Sequence, residues 1–304
     1  MKTVPLAGKE VVIYRTRKGV LKAVDPYCPH LGAHLGVGGK AEGEQLVCPF
    51  HQFRFSVDGV CVATPYGNPP KASLTAFPVE EKYGIVWVWT HHAGEPPTWQ
   101  PSDGLVGIGD TAPQAHRQVD LAGYPQDVAE NVADYGHFPT LHGMETFEVA
   151  LPIRYSGPFA RIEVRVRRRF PLVTLESHIH GQLLGLAGFA AVLGMPRLPY
   201  RVVTWVLPTP TGPARMRLNI AVTTDREIPG RRGSGTPHRA LVMGISRFVL
   251  HQTMRDLKPD LDIWHHRRPD PHPRLSSADG PIGLHRKWAR QFYPEPDPCG
   301  DGPV

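Results

Sequence analysis

The sequence predicts an α+β protein in which a small all-β domain, residues 1–100, precedes a larger domain, residues 101–304, built on an antiparallel sheet flanked by helices. Three observations predict it. Over residues 11–90, short runs rich in valine, isoleucine and aromatics are separated by glycine and proline turns. A Pro/Gly-rich stretch from His91 to Asp110 then marks a boundary. Beyond it, apolar residues at helical spacing give way to long period-two stretches and then return.

Each element follows from its residues. Val11–Arg15 and Val20–Val24, separated by the turn pair Lys18-Gly19, read as strands, with further strands near Leu46, Phe53–Phe55 and Ile85–Trp89. From Val119 to about Ala150 the pattern is carried by a helix, and Asp127–Tyr135 shows the apolar spacing until Pro139 interrupts it. Ile153–Leu183 and Tyr200–Thr224 alternate as long strands, and helices return around Arg247–Trp264 and Leu284–Gln291. Pro294–Val304 reads as a loose tail. With 304 residues, 41% of them apolar, the chain can bury a substantial core, and 31 glycines and 33 prolines favour turns over a helical bundle.

Composition also excludes function classes. Met1–Glu10 lacks the apolar stretch of a signal peptide, so a cytoplasmic protein is expected. The longest uncharged run, Gly181–Met195, is glycine-rich and short of the roughly 20 residues that span a bilayer. It reads as buried or pocket-lining, with membrane contact as the alternative. The net charge of +6 is spread along strands, as in Arg161–Arg169, with no aromatic RNA-binding signature beside it. No nucleic-acid partner is expected; the arginines form a solvated face or a patch for an acidic protein.

Only four cysteines occur, which argues against a disulfide framework. Cys61 and Cys299 read as packing residues. The other two sit beside histidines: Cys28-Pro29-His30, then after 17 intervening residues Cys48-Pro49-Phe50-His51. One Cys and one His in each of two short loops suits a Rieske [2Fe–2S] cluster, in which two thiolates hold one iron and two imidazoles the other. A Cys₂His₂ zinc site is the competitor, but zinc fingers pair Cys with Cys and His with His around a helix. His34 reads as a loop residue covering the site, and glycines 32, 36, 38 and 39 permit tight turns around it.

A second group lies in Glu130-Asn131-Val-Ala-Asp134-Tyr-Gly-His137-Phe-Pro139-Thr-Leu-His142. Asp134 and His137 share a helix face, and Pro139 can break the helix so that His142 swings back. Two neutral imidazoles and a distant carboxylate form the facial triad of O₂-activating Fe(II); a structural histidine pair is the alternative. The carboxylate must come from Arg255-Asp256-Leu-Lys-Pro-Asp260-Leu-Asp262-Ile-Trp264, where three aspartates compete.

Cys28–His34 and Cys48–Gly59 resemble the two cluster-binding loops of Rieske domains, and Glu130–His142 resembles the catalytic helix of Rieske non-haem iron oxygenase α-subunits. The stretches around Asp260-Leu-Asp-Ile-Trp264 and Asp279–Tyr293 are similar to the ketosteroid 9α-hydroxylase and cholesterol 7-desaturase branch; the likeness is weak between Leu151 and Met243. The resemblance implies a Rieske cluster on Cys28, His30, Cys48 and His51, and a mononuclear Fe(II) on His137, His142 and Asp260. Asp134 would link that iron to the cluster histidine His51, in a second domain of helix-grip (START-like) fold and a head-to-tail homotrimer. It implies a terminal oxygenase that uses O₂ and electrons from a ferredoxin and/or flavin reductase to hydroxylate a small hydrophobic, steroid-like or natural-product substrate. Desaturation and N-oxygenation of a small amine are the alternative outcomes, and a Rieske electron carrier without catalytic iron is the alternative of another class. No flavin or nucleotide glycine motif occurs, so reductant oxidation is assigned to another protein.

Overall fold

The structure, a computed structural model, describes residues 1–169, 174–194, 200–226 and 236–294. Met195, Cys299 and the expected tail beyond Pro294 lie outside the described residues. The chain forms two compact units: Met1–Thr98 with Pro210–Pro213, and Trp99–Thr209 with the chain from Ala214 onward.

The first unit contains β1 (Lys2–Leu6), β2 (Lys9–Arg15), β3 (Leu21–Val24), β4 (Lys40–Glu42), β5 (Gln45–Val47), β6 (Arg54–Phe55), β7 (Cys61–Ala63), β8 (Ala76–Phe77), β9 (Val79–Lys82) and β10 (Ile85–Val88). They form antiparallel sheets in the orders β1-β2-β3-β8, β4-β5-β6-β7 and β10-β9. The β1–β2 register pairs Leu6 with Lys9 across a two-residue turn, Ala7-Gly8, in which both φ angles are positive, at 50° and 77°. That backbone twist matches paired strands, and only a glycine-containing pair adopts it cheaply. Val12, Tyr14, Val24, Leu35, Leu46 and Phe55 close one core around Cys28, Cys48 and Cys61. Burial of a side chain such as Phe55 stabilises the unit by about 2–3 kcal/mol.

The second unit starts with α1 (Pro101–Gly104), β11 (Ala115–Ala122), α2 (Pro125–Asn131) and α3 (His137–His142). It continues with β12 (Thr146–Ser156), β13 (Phe159–Arg169), β14 (Thr174–Leu184), β15 (Phe189–Gly194), β16 (Tyr200–Gly212) and β17 (Arg215–Arg226). The last helices are α4 (Thr236–His266) and α5 (Ile282–Ala289), followed by a 3₁₀ turn at Arg290–Phe292. A seven-stranded sheet runs β11-β17-β16-β15-β14-β13-β12, with antiparallel pairing between β11 and β17 and between successive strands from β12 to β16. Trp264 of α4 and Val128 of α2 join Leu121, Met216, Leu218 and Ile220 in one core, while Trp288 and Ala289 of α5 join Ile153, Ile162 and Leu183 in another.

The expected helix over Val119–Ala150 is narrower than the pattern indicated, because Val119 belongs to β11 and Thr146 opens β12. The described part of the glycine-rich run supplies β14 and β15, and its residues Gln182, Leu183, Leu184 and Ala190 are buried. A Cβ at Gly181 would come within 2.8 Å of the Ile162 side chain on the neighbouring strand, which accounts for the glycine. Arg165 and Arg167 on β13 pair with Glu148, Glu145 and Glu176, so this stretch is a charge-balanced, solvated face. Among the described residues no helix is long and apolar enough to cross a membrane, a statement that concerns helices alone.

Candidate metal centres

In the first unit, Cys28 and His30 stand on the loop between β3 and β4, and Cys48 and His51 on the tight loop between β5 and β6. Each loop is closed by its own backbone. Cys28 N–H donates to Ala33 and its carbonyl accepts from Gly32, both at 2.9 Å, while Cys48 N–H donates to Phe53 at 2.9 Å. Gln52 adopts φ 55°, giving the second loop its reversal. The His30 and His51 rings approach to 4.7 Å between centroids, and Phe53 stacks on His30 at 4.3 Å.

Both thiols are buried and unpaired with any disulfide. Burial, with a smaller contribution from the adjacent Cys48, pushes the Cys28 thiol up to about 11. A buried thiol that resists ionisation, with a second buried sulfur beside it, suits a cation that would take thiolates as ligands. The two imidazoles beside them complete a donor set of the right chemistry for a Rieske cluster. His34 does not join: its Nδ1 accepts from Gly36 N–H at 3.1 Å and its Nε2 faces Glu10 at 3.2 Å. It ties the first loop to β2. Cys61 packs in the same core.

In the second unit, His137 and His142 open and close the single helix α3, and Asp260 reaches them from α4. One donor atom from each lies within 4.8 Å of the others. Asp260 is 2% exposed, and its Oδ2 stands 3.4 Å from His142 Nε2. That oxygen and His142 Nδ1 are buried without hydrogen-bond partners. The Asp256 carboxylate is instead bound to Arg168 at 2.5 Å, and Asp262 is exposed, so among the three it is the Asp260 carboxylate that groups with both histidines.

The break in the helix falls earlier than Pro139. α2 ends at Asn131 and α3 begins at His137, while Asp134 lies in the turn between them. Pro139 sits in the first turn of α3, where the missing N–H has no intrahelical partner to lose. Gly143 ends α3 in the left-handed conformation at φ 60°, turning the chain sharply after His142.

The turn orients His137. Its Nδ1 donates to the Asp134 carbonyl at 2.5 Å, which leaves Nε2 as the lone-pair nitrogen. Asn131 Nδ2 donates to that Nε2 at 3.1 Å and to Asp260 Oδ1 at 3.4 Å. The Asp134 carboxylate stands 3.8 Å from His137 Nδ1. Burial lowers the pKa of both histidines, favouring their neutral forms, and the His137–His142 proximity adds to the effect on His142. Burial also pushes Asp260 up to about 7, against the donation from Asn131. A buried carboxylate that resists ionisation, beside two neutral imidazoles and an orphaned oxygen, has the chemistry of a divalent-metal site.

Sequence reasoning assigned no role to three further groups. Asn131 bridges two of the predicted ligands. Glu130, 5% exposed, accepts from Arg286 at 2.6 Å and from Arg267 at 2.7 Å, joining α2 to α5 and to the chain after α4. Burial alone would raise the Glu130 pKa, yet the two guanidinium groups hold it below the usual value. Arg168 reaches α4 from β13. The sequence signal for Asn131 was its place in the motif, but nothing local marked either arginine pairing. A cavity of about 340 Å³ reaches Asn131, His137 and Asp260 and is walled by Leu141, Ile263 and Trp264.

Residues 88–293 match the family profile of the 3-ketosteroid 9α-hydroxylase C-terminal domain, and residues 1–78 match that of the Rieske [2Fe–2S] domain. Cholesterol 7-desaturase of Xenopus laevis is 28% identical over 324 residues, covering 96% of this chain and 68% of that protein. The oxygenase component of a 3-ketosteroid-9-alpha-monooxygenase from Rhodococcus rhodochrous is 24% identical over 305 residues, covering 94% of this chain and 75% of its own. The chain spans about two thirds of the length of the cholesterol 7-desaturases it matches, 66% for a protein of Ciona intestinalis and 64% for one of Bombyx mori. In fold it resembles dicamba monooxygenase, with a TM-score of 0.66, 16% identity and coverage of 96% and 91%.

Proposed function

Because the chain belongs to the 3-ketosteroid 9α-hydroxylase family of Rieske [2Fe–2S] proteins, we propose that it is the terminal component of a Rieske non-haem iron oxygenase that hydroxylates a hydrophobic, steroid-like substrate. The observation that carries this reading is the convergence of His137, His142 and Asp260, with donor atoms within 4.8 Å of one another, in a chain that also holds the Cys28/His30 and Cys48/His51 loops. In this reading the four loop residues hold the cluster and the triad holds the iron. When bound, the cluster supplies electrons one at a time and the iron supplies O₂ activation.

The residues of the chain prepare that chemistry. Asp134 fixes the His137 tautomer through its backbone carbonyl, so the metal-facing nitrogen is unprotonated. Asn131 holds His137 and Asp260 in one orientation before any cation arrives. Leu141, Ile263 and Trp264 line the cavity beside the triad and limit water there. Asp134, with its side chain 38% exposed, is the residue we assign to linking His137 with His51 of an adjacent subunit in a head-to-tail homotrimer. A ferredoxin and/or a flavin reductase supplies the electrons.

The relation to cholesterol 7-desaturases supports one second outcome, desaturation of the same substrate class. Both outcomes are tested together by incubating the protein with NADH, a ferredoxin reductase, a ferredoxin and a panel of sterols and 3-ketosteroids under isotopically labelled oxygen. Labelled hydroxyl product, or unlabelled alkene with matched O₂ consumption, lost in His137→Ala, is expected. Cluster reduction without substrate-dependent O₂ consumption would leave an electron carrier instead.

A further inference from the structure

Resting on the assignment of His142 and Asp260 to one metal, we infer that the half-buried ion pair Arg168–Asp256 is a positioning device that holds His142 in its ligating orientation. Neither residue touches the reacting atoms. The pair joins β13 to α4 at 2.5 Å, one helical turn before Asp260, and the second guanidinium nitrogen reaches the His142 carbonyl at 3.5 Å. Arg168 therefore contacts both elements that carry the triad's partners: the end of α3 and the turn of α4 that presents Asp260.

Two weaknesses in the backbone make an external tether necessary. Pro259 lies inside α4 and has no N–H, so the carbonyl of Arg255, adjacent to Asp256, loses its intrahelical donor. The turn carrying Asp256 and Asp260 is thereby less self-supporting than the rest of the helix. α3 is only six residues long, and its last carbonyls, His142 among them, lie beyond the reach of its own N–H groups. A cation at that C-terminus both satisfies a carbonyl and complements the helix dipole.

The pair also sets the imidazole. His142 directs Nε2 toward Asp260 Oδ2 at 3.4 Å, and its Nδ1 is buried and makes no hydrogen bond. The backbone of Asp256 lies beside this ring. When Nε2 is engaged by a cation, the proton must stand on Nδ1, and the Asp256 carbonyl is the acceptor within reach. Ligating histidines generally donate their other nitrogen to such a group, and its loss lowers metal affinity about 10- to 100-fold. Arg168 holds that carbonyl in place by binding the side chain of the same residue.

The test compares iron affinity by chelator competition in wild type, Arg168→Met, Arg168→Lys and Asp256→Asn, each carrying its cluster, with the Co(II) absorption spectrum of the refilled site as a geometric readout. Arg217→Met, which removes a similarly close ion pair with Asp120 between β11 and β17, is the control for loss of a salt bridge as such. Expected are an affinity loss of about 10- to 100-fold and an altered Co(II) spectrum in Arg168→Met and Asp256→Asn, partial recovery in Arg168→Lys, and no change in Arg217→Met. Combining Arg168→Met with Asp256→Asn should cost no more than either alone, because the two act as one unit. Wild-type affinity and spectrum in both single variants would overturn the inference, as would an equal loss in Arg217→Met. If wild type holds no iron that depends on His137, the assignment of the triad itself fails, and the two failures are distinguishable.

Discussion

The two candidate metal centres differ in how far the chain travels to build them. In the first unit each loop delivers a Cys and a His within a few residues, and its backbone hydrogen bonds close on the loop itself. In the second, His137 and His142 come from one short helix and Asp260 from another, separated in sequence by the whole run of strands β12 to β17. The first centre depends on local turns; the second depends on tertiary ties such as Glu130 to Arg286 and Arg267, and Arg168 to Asp256. The lesson is that perturbing distant packing should reach the second centre and leave the first intact.

Removal of a ligand sharpens this most. Asp260→Ala should lower iron affinity of the second centre more than about 100-fold, beyond the loss expected for an outer partner, while the visible absorption of the cluster stays unchanged. Equal loss from both centres in metal analysis would break the comparison. Next, Glu130→Gln leaves two arginines facing a neutral amide in a buried site and should cost about 3–5 kcal/mol. Urea unfolding should show this loss, and iron content should fall with it, although Glu130 belongs to neither donor set.

A pH effect comes third. His285 is fully buried on α5, where its Nδ1 faces the Tyr155 hydroxyl at 3.2 Å and its Nε2 has no partner. Burial pushes its pKa down from 6.5 to about 4. Between those values the unfolded chain binds a proton that the folded chain refuses, so stability falls as pH drops through the window. The contribution is about 3 kcal/mol, present above pH 6.5 and lost progressively toward pH 4. Urea midpoints at the two ends of the window should differ less in His285→Gln than in wild type. The smallest effect belongs to the solvated face of β13: Arg165→Ala should change stability by about 0–1 kcal/mol, because its pairing with Glu148 is exposed and spans 3.5 Å. A larger loss on thermal melting would give that face a structural role it lacks here.

The same contrast decides what was legible in the sequence. The Cys28/His30 and Cys48/His51 pairs are visible as spacing because the chemistry is local, and the alternation of β13 is visible because Ala160, Ile162, Val164 and Val166 are buried while Arg161, Arg165 and Arg167 are exposed. The break between α2 and α3 was misplaced onto Pro139, since a proline in a first turn is compatible with a helix and only the surrounding chain shows which turn it occupies. Among Asp256, Asp260 and Asp262 the residues alone could not choose; the choice depends on Arg168, which approaches from another strand and captures Asp256. Asn131 stood inside the recognised motif, but its function as a bridge appears only when Asp260 is brought beside His137. Long-range partners of this kind leave no periodic trace.

The most direct test of the central claim, that one chain carries two separate iron centres on these residues, is iron and acid-labile sulfide analysis with EPR of the dithionite-reduced protein, in wild type, His51→Ala and His137→Ala. About three irons and two sulfides per chain are expected, with the Rieske signal lost only in His51→Ala and one iron lost in His137→Ala. Two irons unaffected by His137→Ala, or zinc without sulfide, would contradict it.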